Sequence, residues 1–238
     1  MKEKSISSYS GKYPKDFDIT KYEGKRILVI GAGPTTNIVK WENIEYDYIF
    51  TCNQFHECSK LNDMKIEVVS LINRILKNPN SNKLYERLDR DNSYIAIEPH
   101  HSSMVFEHRE CKKLITKYKN KCLFFDTTFQ NKSGAAPRLA ILATSLKPKS
   151  ICMVGIDGYG NATKSVKHSF DKNLVGARDG NSYKSVNDAQ KDFAIYIHKL
   201  CSKLKIELFN LSEGHPENIM SSYSQSNFPL SKKLKKQL

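Results

Sequence analysis

The sequence predicts an α/β protein: a single Rossmann-like domain with a mainly parallel sheet, helices on both faces and a flexible lid. Three observations lead there. Seven apolar runs of strand length recur along the chain, continuous rather than alternating, as strands buried on both faces of a parallel sheet should be. Segments of helical periodicity fall between them. The first run ends in Gly31-Ala32-Gly33, a glycine-rich strand-to-helix turn of the kind that approaches phosphates.

Residues 1–24 are polar and aperiodic and read as an N-terminal extension to a domain spanning 25–215. Strands are expected at 26–31, 46–52, 65–71, 93–98, 122–127, 150–157 and 206–211, and helices near 71–90, 104–119, 133–147 and 185–204. Ser133 is the expected N-cap of the third helix, with Pro137 early enough to be tolerated. Ser185 followed by Asp188 resembles a capping box for the last helix. Val186, Ala189, Phe193, Ile197, Leu200 and Leu204 then form its apolar stripe. The stretch 158–184 is rich in Gly, Ser, Asn and Lys, and is expected to form the lid.

Composition narrows the class. With 39% hydrophobic and 26% charged residues the chain is that of a soluble globular protein, and no apolar run reaches the roughly 20 residues of a membrane span. The first residues lack the apolar core of a secretory signal. Six cysteines without CxxC spacing fit reduced thiols in the cytoplasm. The net charge of +13 reflects either a lysine-rich solvated surface or an anionic partner. The basic tail 216–238 ends in SKKLKKQL, which suits salt-sensitive attachment to an anionic membrane surface. No nucleic-acid-binding motif is present, and a homo-oligomer is left open.

Ligands of open parallel sheets sit beyond the carboxyl ends of the strands. There the first strand delivers Gly31, Gly33, Thr35 and Thr36, glycines for close backbone approach and threonines with hydroxyls to donate, or simply a tight turn. The second delivers Asn53 where a dinucleotide-binding protein would carry Asp or Glu, and Thr36 replaces the third fingerprint glycine, so NAD and FAD are not expected. Asn53 suits a base edge or a ribose hydroxyl, or closes the strand as a turn residue. The sixth delivers Gly155, Ile156 and Asp157, then Tyr159. Ser133-Gly134 offers helix-start amides for an anion. The pairs Asp16/Asp18 and Asp89/Asp91 lie away from this edge and read as surface carboxylates, and no zinc spacing occurs, so no metal is expected. Among the histidines, His168 beside Asp171 in the lid is the candidate acid–base group.

GAGPTT, FTCNQF, KSGAAPRLAILATSLKPKSICMVGIDGY and HSFD, in that order over roughly 26–209, resemble the bacterial sialyltransferases of glycosyltransferase family 42. Those enzymes carry a GNGPS-type loop, a CNQF-type strand end, a TSG helix start and a GIDFY-type strand end. The resemblance implies a CMP-activated nonulosonic acid as donor, a surface glycan (lipooligosaccharide or capsule) as acceptor, and no metal cofactor. It implies nucleotide contacts at Gly31, Gly33, Thr35, Asn53, Ser133, Gly134, Gly155, Ile156 and Asp157. Tyr159 would assist the leaving phosphate, and His168 stands where the family has a lid tyrosine. Two features depart from the pattern. The stretch GNSYKSVNDAQKDF lacks the family's base histidine, leaving His168 or Asp188 for that role, and Gln130 stands where an arginine is expected, with Arg138 a turn later. The alternatives are a nucleotide-binding relative with altered catalysis, and a metal-dependent pyrophosphokinase-like transferase on the same GxGP and GxD skeleton.

Overall fold

The computed structural model describes residues 9–38, 40, 44–71, 75, 82–98, 108–127, 129, 134–156, 169–170 and 183–211, the side chains of 9–12, 38 and 183–191 excepted. Eight strands form one sheet: β1 (Tyr9–Lys12), β2 (Arg26–Ile30), β3 (Tyr48–Cys52), β4 (Val68–Ser70), β5 (Tyr94–Ile97), β6 (Cys122–Thr127), β7 (Ser150–Val154) and β8 (Glu207–Asn210). Their order is β1-β6-β5-β4-β3-β2-β7-β8. Every pairing is parallel except β1 with β6. The helices are α1 (Thr35–Ile38), α2 (Asn82–Asp91), α3 (Arg109–Lys117), α4 (Ala135–Ser145) and α5 (Tyr183–Leu204).

The order explains the layers. From β2 the chain steps outward through β3, β4, β5 and β6, then returns across the sheet to β7 and β8 on the other side of β2. Right-handed crossovers in opposite directions put their helices on opposite faces. The returning face carries α4, which packs on β2, β3, β6 and β7 and against α5. Because it lies between sheet and helix, α4 is buried from Ala135 to Thr144 on all sides, which is why its sequence is apolar without an amphipathic stripe.

All seven strands expected from the apolar runs are present; the eighth, β1, came from the stretch read as an aperiodic extension. Its register pairs Tyr9 with Thr127 and Lys12 with Phe124. The same stretch sends Phe17 and Tyr22 into the core. Helix starts differ from expectation. The N-cap of α4 is Gly134, not Ser133, which lies outside the described residues. Helix α5 begins at Tyr183, so Ser185 and Asp188 fall inside it rather than forming its capping box. On its stripe Phe193, Ile197 and Leu200 are buried, whereas Leu204, the last residue of the helix, is exposed. The six cysteines are unpaired and buried, and burial pushes the thiols of Cys52, Cys122, Cys152 and Cys201 up to about 12, so they act as packing residues. Among the described residues no helix is long and apolar enough to cross a membrane.

Candidate active site

The strand order reverses between β2 and β7, and the chain segments leaving their carboxyl ends meet there. Gly31 continues β2 and Gly155 continues β7. A Cβ on Gly31 would collide with the Gly155 carbonyl and lie 3.2 Å from the Ala136 Cβ. Gly155 has φ +67, and a Cβ there would collide with Thr36 Oγ1 and lie 2.5 Å from the Gly31 carbonyl oxygen. Both positions therefore demand glycine, for space at the first and for space and backbone conformation at the second.

Hydrogen bonds lock this junction. The Gly31 amide donates to the Val154 carbonyl at 2.8 Å and the Gly33 amide to the Gly155 carbonyl at 2.9 Å. The Gly155 amide donates to Thr35 Oγ1 at 3.2 Å, and Thr36 Oγ1 donates to the Gly31 carbonyl at 2.8 Å. Thr35 and Thr36 are both fully buried. The Thr36 hydroxyl does donate, to the loop's own Gly31 carbonyl, and so braces the tight turn that the sequence left open as the alternative. Thr35 is likewise buried, with its hydroxyl oxygen against the Gly155 amide.

Around the junction, Asn53 leaves β3 in the left-handed region (φ 52), a conformation asparagine tolerates, with its amide bonded to the Ser70 carbonyl at 2.9 Å. It is half-buried, as are Ala32, Gly33 and Pro34; Ile156 is buried, and Gly134 is exposed at the start of α4. Gly134 has φ +89 and no side chain to cap the helix, whose first-turn amides have no intrahelical acceptors. Ser169 closes the ring: its amide donates to the Ala32 carbonyl at 2.8 Å and its hydroxyl to the Gly33 carbonyl at 2.6 Å. The adjoining Phe170 is buried. Of the expected site residues, the fold thus brings Gly31, Gly33, Thr35, Asn53, Gly134, Gly155 and Ile156 to one edge of the sheet. Ser133, Asp157, Tyr159 and His168 lie outside the described residues, and Asp188 lies in α5 with its side chain outside them.

A buried charge cluster on the same edge escaped the sequence reading. Glu98 follows β5, Thr127 ends β6 and Arg138 lies one turn into α4. Glu98 Oε1 accepts from the Thr127 amide at 2.9 Å and its hydroxyl at 2.6 Å, while Glu98 Oε2 accepts from Arg138 Nη1 at 2.7 Å. Arg138 Nη1 also reaches Thr127 Oγ1 at 3.0 Å. Burial draws the Arg138 pKa down, opposed by the Glu98 charge. This arginine thus anchors α4 to the strand ends. The only signal in the sequence was charge inside an apolar helix, at RLAILA.

Of the two Asp-x-Asp pairs, Asp16, Asp18 and Asp89 are exposed, as surface carboxylates should be. Asp18 caps the turn Ile19–Tyr22 by accepting from the Thr20 amide at 2.9 Å. Asp89 accepts from Lys117 and from the Tyr118 hydroxyl, both at 2.8 Å. Asp91 is not a surface carboxylate: it is buried, pairs with Arg87 Nε at 2.8 Å and Arg90 Nε at 2.7 Å, and accepts the Ile66 amide. Those arginines also donate to the carbonyls of Leu61, Asn62 and Met64, flooring a polar groove of about 350 Å³ beside His56. Among the described residues no group of three or more His, Cys, Asp or Glu converges as a metal site.

The sequence matches no protein-family model and no curated protein. Solved structures do match. Monofunctional alpha-2,3-sialyltransferase Cst-I from Campylobacter jejuni superimposes with a TM-score of 0.62 at 14% identity, over 94% of this chain and 86% of that one. The sialyltransferase CstII from Campylobacter jejuni, in complex with the substrate analogue CMP-3FNeuAc, gives 0.59 at 15% identity, over 84% and 85%. A complex of the sialyltransferase CST-II with a trisaccharide acceptor and CMP gives 0.57 at 16%, over 88% and 87%. The chain has a sialyltransferase-like fold.

Proposed function

We propose that this protein is a metal-independent glycosyltransferase that moves sialic acid, or a related nonulosonic acid, from a CMP donor to a surface glycan. The observation that carries the reading is the Gly31–Gly155 backbone contact at the switch point, with Asn53 on the neighbouring strand end, on a fold shared with enzymes solved with CMP and an acceptor. The glycine loop, Asn53, Ser133-Gly134 and the segment Gly155, Ile156, Asp157 would hold the nucleotide, with Thr35 bracing it from beneath.

In the reaction an acceptor hydroxyl attacks the anomeric carbon of the donor sugar. The new C–O bond forms as the bond to the CMP phosphate breaks, and the hydroxyl proton passes to His168 or, as the alternative, Asp188. The departing phosphate gains charge, which Tyr159 and backbone amides would offset. The net charge of +13 suits an anionic substrate, and the Lys-rich tail would hold the enzyme at the inner face of the membrane, where lipid-linked acceptors are assembled.

The experiment is a thermal-shift comparison of CMP, UMP, AMP and CDP, each with and without EDTA. Stabilisation by CMP that EDTA leaves intact supports the reading and leads to a CMP-sugar turnover assay. Absence of a CMP response removes it, and a response that needs a divalent ion points to the pyrophosphokinase-like alternative.

A further inference from the structure

The glycine loop has three peptide units whose polar groups can be traced one by one. The amides of Gly31 and Gly33 are taken by the Val154 and Gly155 carbonyls. The Gly31 carbonyl is taken by the Thr36 hydroxyl, the Ala32 carbonyl by the Ser169 amide, and the Gly33 carbonyl by the Ser169 hydroxyl and the Thr36 amide. Pro34 has no amide proton. What is left is the Ala32 N–H, which has no acceptor among the described residues although its residue is half-buried. It is the one donor of these peptide units that no described protein group takes, which leaves it available to a ligand oxygen.

The position of that amide is set from both sides. On one side, Thr36 fixes the peptide that contains it. On the other, the 32–33 peptide is pinned at both ends, its carbonyl by the Ser169 amide at 2.8 Å and its N–H by Gly155 at 2.9 Å. The 33–34 peptide, lacking an N–H, can be held only through its carbonyl, and its shortest bond is the 2.6 Å one from the Ser169 hydroxyl. Ser169 is itself anchored by the burial of Phe170. Its partners lie about 136 residues away in sequence, so this is a tertiary brace rather than local turn chemistry.

We propose that Ser169 is a positioning residue of the nucleotide site: it fixes the Ala32–Gly33–Pro34 backbone so that the Ala32 N–H is the loop's remaining donor for a nucleotide phosphate. The inference rests on the preceding functional reading for the identity of the ligand. The preorganised peptide planes give it its sense, since a donor already aimed loses little on binding.

The test titrates CMP into the parent, S169A and S169T, with the full-length chain labelled with 15N-alanine and Ala32 assigned through A32S. S169A should weaken CMP binding about five- to tenfold, as expected for one lost hydrogen bond, and S169T should restore most of it. The Ala32 amide proton should move downfield on CMP addition in the parent. A serine that only stabilised the fold would lower the unfolding temperature of S169A and leave CMP affinity at 20 °C unchanged; that result overturns the proposal. So does CMP binding that leaves the Ala32 amide unmoved. If the parent does not bind CMP, the functional reading fails separately, and hydrogen exchange at the Gly33 amide of the unliganded protein judges the brace. Faster exchange in S169A sustains it, and equal exchange removes it.

Discussion

The Gly155 carbonyl accepts the Gly33 amide at 2.9 Å while the Gly155 amide donates to Thr35 Oγ1 at 3.2 Å, so one residue after β7 holds the loop after β2 at two points. Two strands far apart in sequence are thereby joined at the point where the strand order reverses. The contact works only because both chains come within a carbonyl's reach, and each does so for want of a side chain.

G155A should lose about 2–5 kcal/mol, the sum of a left-handed backbone at an alanine and overpacking against Thr36 and Gly31. G134A, at φ 89 and ψ −177 in a region that glycine alone adopts readily but with nothing within 4 Å of its Cβ, should lose about 1–3 kcal/mol from backbone strain alone. Urea unfolding of the two variants gives the contrast. Equal losses would mean that strain alone, and not the close approach of the two chains, makes Gly155 necessary.

The Glu98–Arg138 pair predicts a different pattern. R138M strands a buried carboxylate that keeps only its Thr127 bonds, and should cost about 3–5 kcal/mol. E98Q/R138M removes both charges and should recover a large part of that loss, because most of the penalty is the orphaned charge. A double-mutant cycle by chemical denaturation measures the coupling. Additive losses would show that the two groups do not act as a pair.

Sequence patterns made the frame legible because their signals are local. Runs such as RILVI and SICMV carry their own burial on both faces, and both became central strands. Gly31 was visible as a strand-end glycine. What was not visible was pairing at a distance: that Gly155 touches it, that Arg138 finds Glu98 across the sheet edge, and that Ser169 reaches back to Gly33. Strand β1 was hidden for the same reason, since an edge strand without alternation gains its identity from β6. Helix starts moved by one or two residues, to Gly134 and Tyr183, because capping side chains in the sequence compete with the tertiary position of the chain.

His56 predicts an acid-sensitive element outside the crevice. Its side chain is 5% exposed, Nδ1 is buried without a hydrogen-bond partner, and Nε2 lies 3.6 Å from Glu57 Oε1. Burial lowers its pKa below the usual imidazole value, Glu57 opposes this, and the Lys83 and Arg87 charges add to it. The native state therefore declines a proton that the unfolded chain accepts below about 6.5, and stability falls as pH drops through that value. The urea midpoint should fall more between pH 7.5 and 5.5 in the parent than in H56L. Identical pH slopes would show that the imidazole is not kept neutral by its surroundings.

The catalytic assignment separates a working transferase from a nucleotide-binding relative. An acceptor hydroxyl has a pKa far above 7, so transfer requires a group to take its proton as the bond to the sugar forms. General-base removal typically costs about 10²- to 10⁴-fold in rate and touches nucleotide affinity little. H168N should therefore lower kcat by that factor with CMP binding unchanged, whereas Y159F should act on departure of the phosphate and show most strongly with the poorer leaving groups. D188N carries the alternative: the large kcat loss appearing there, with H168N near parent activity, moves the base to α5. If both variants turn over donor as the parent does while transfer is measurable, neither residue is the base. If the parent binds CMP and neither transfers nor hydrolyses the donor, the site has kept its nucleotide and lost its chemistry, as the missing histidine in GNSYKSVNDAQKDF would then explain.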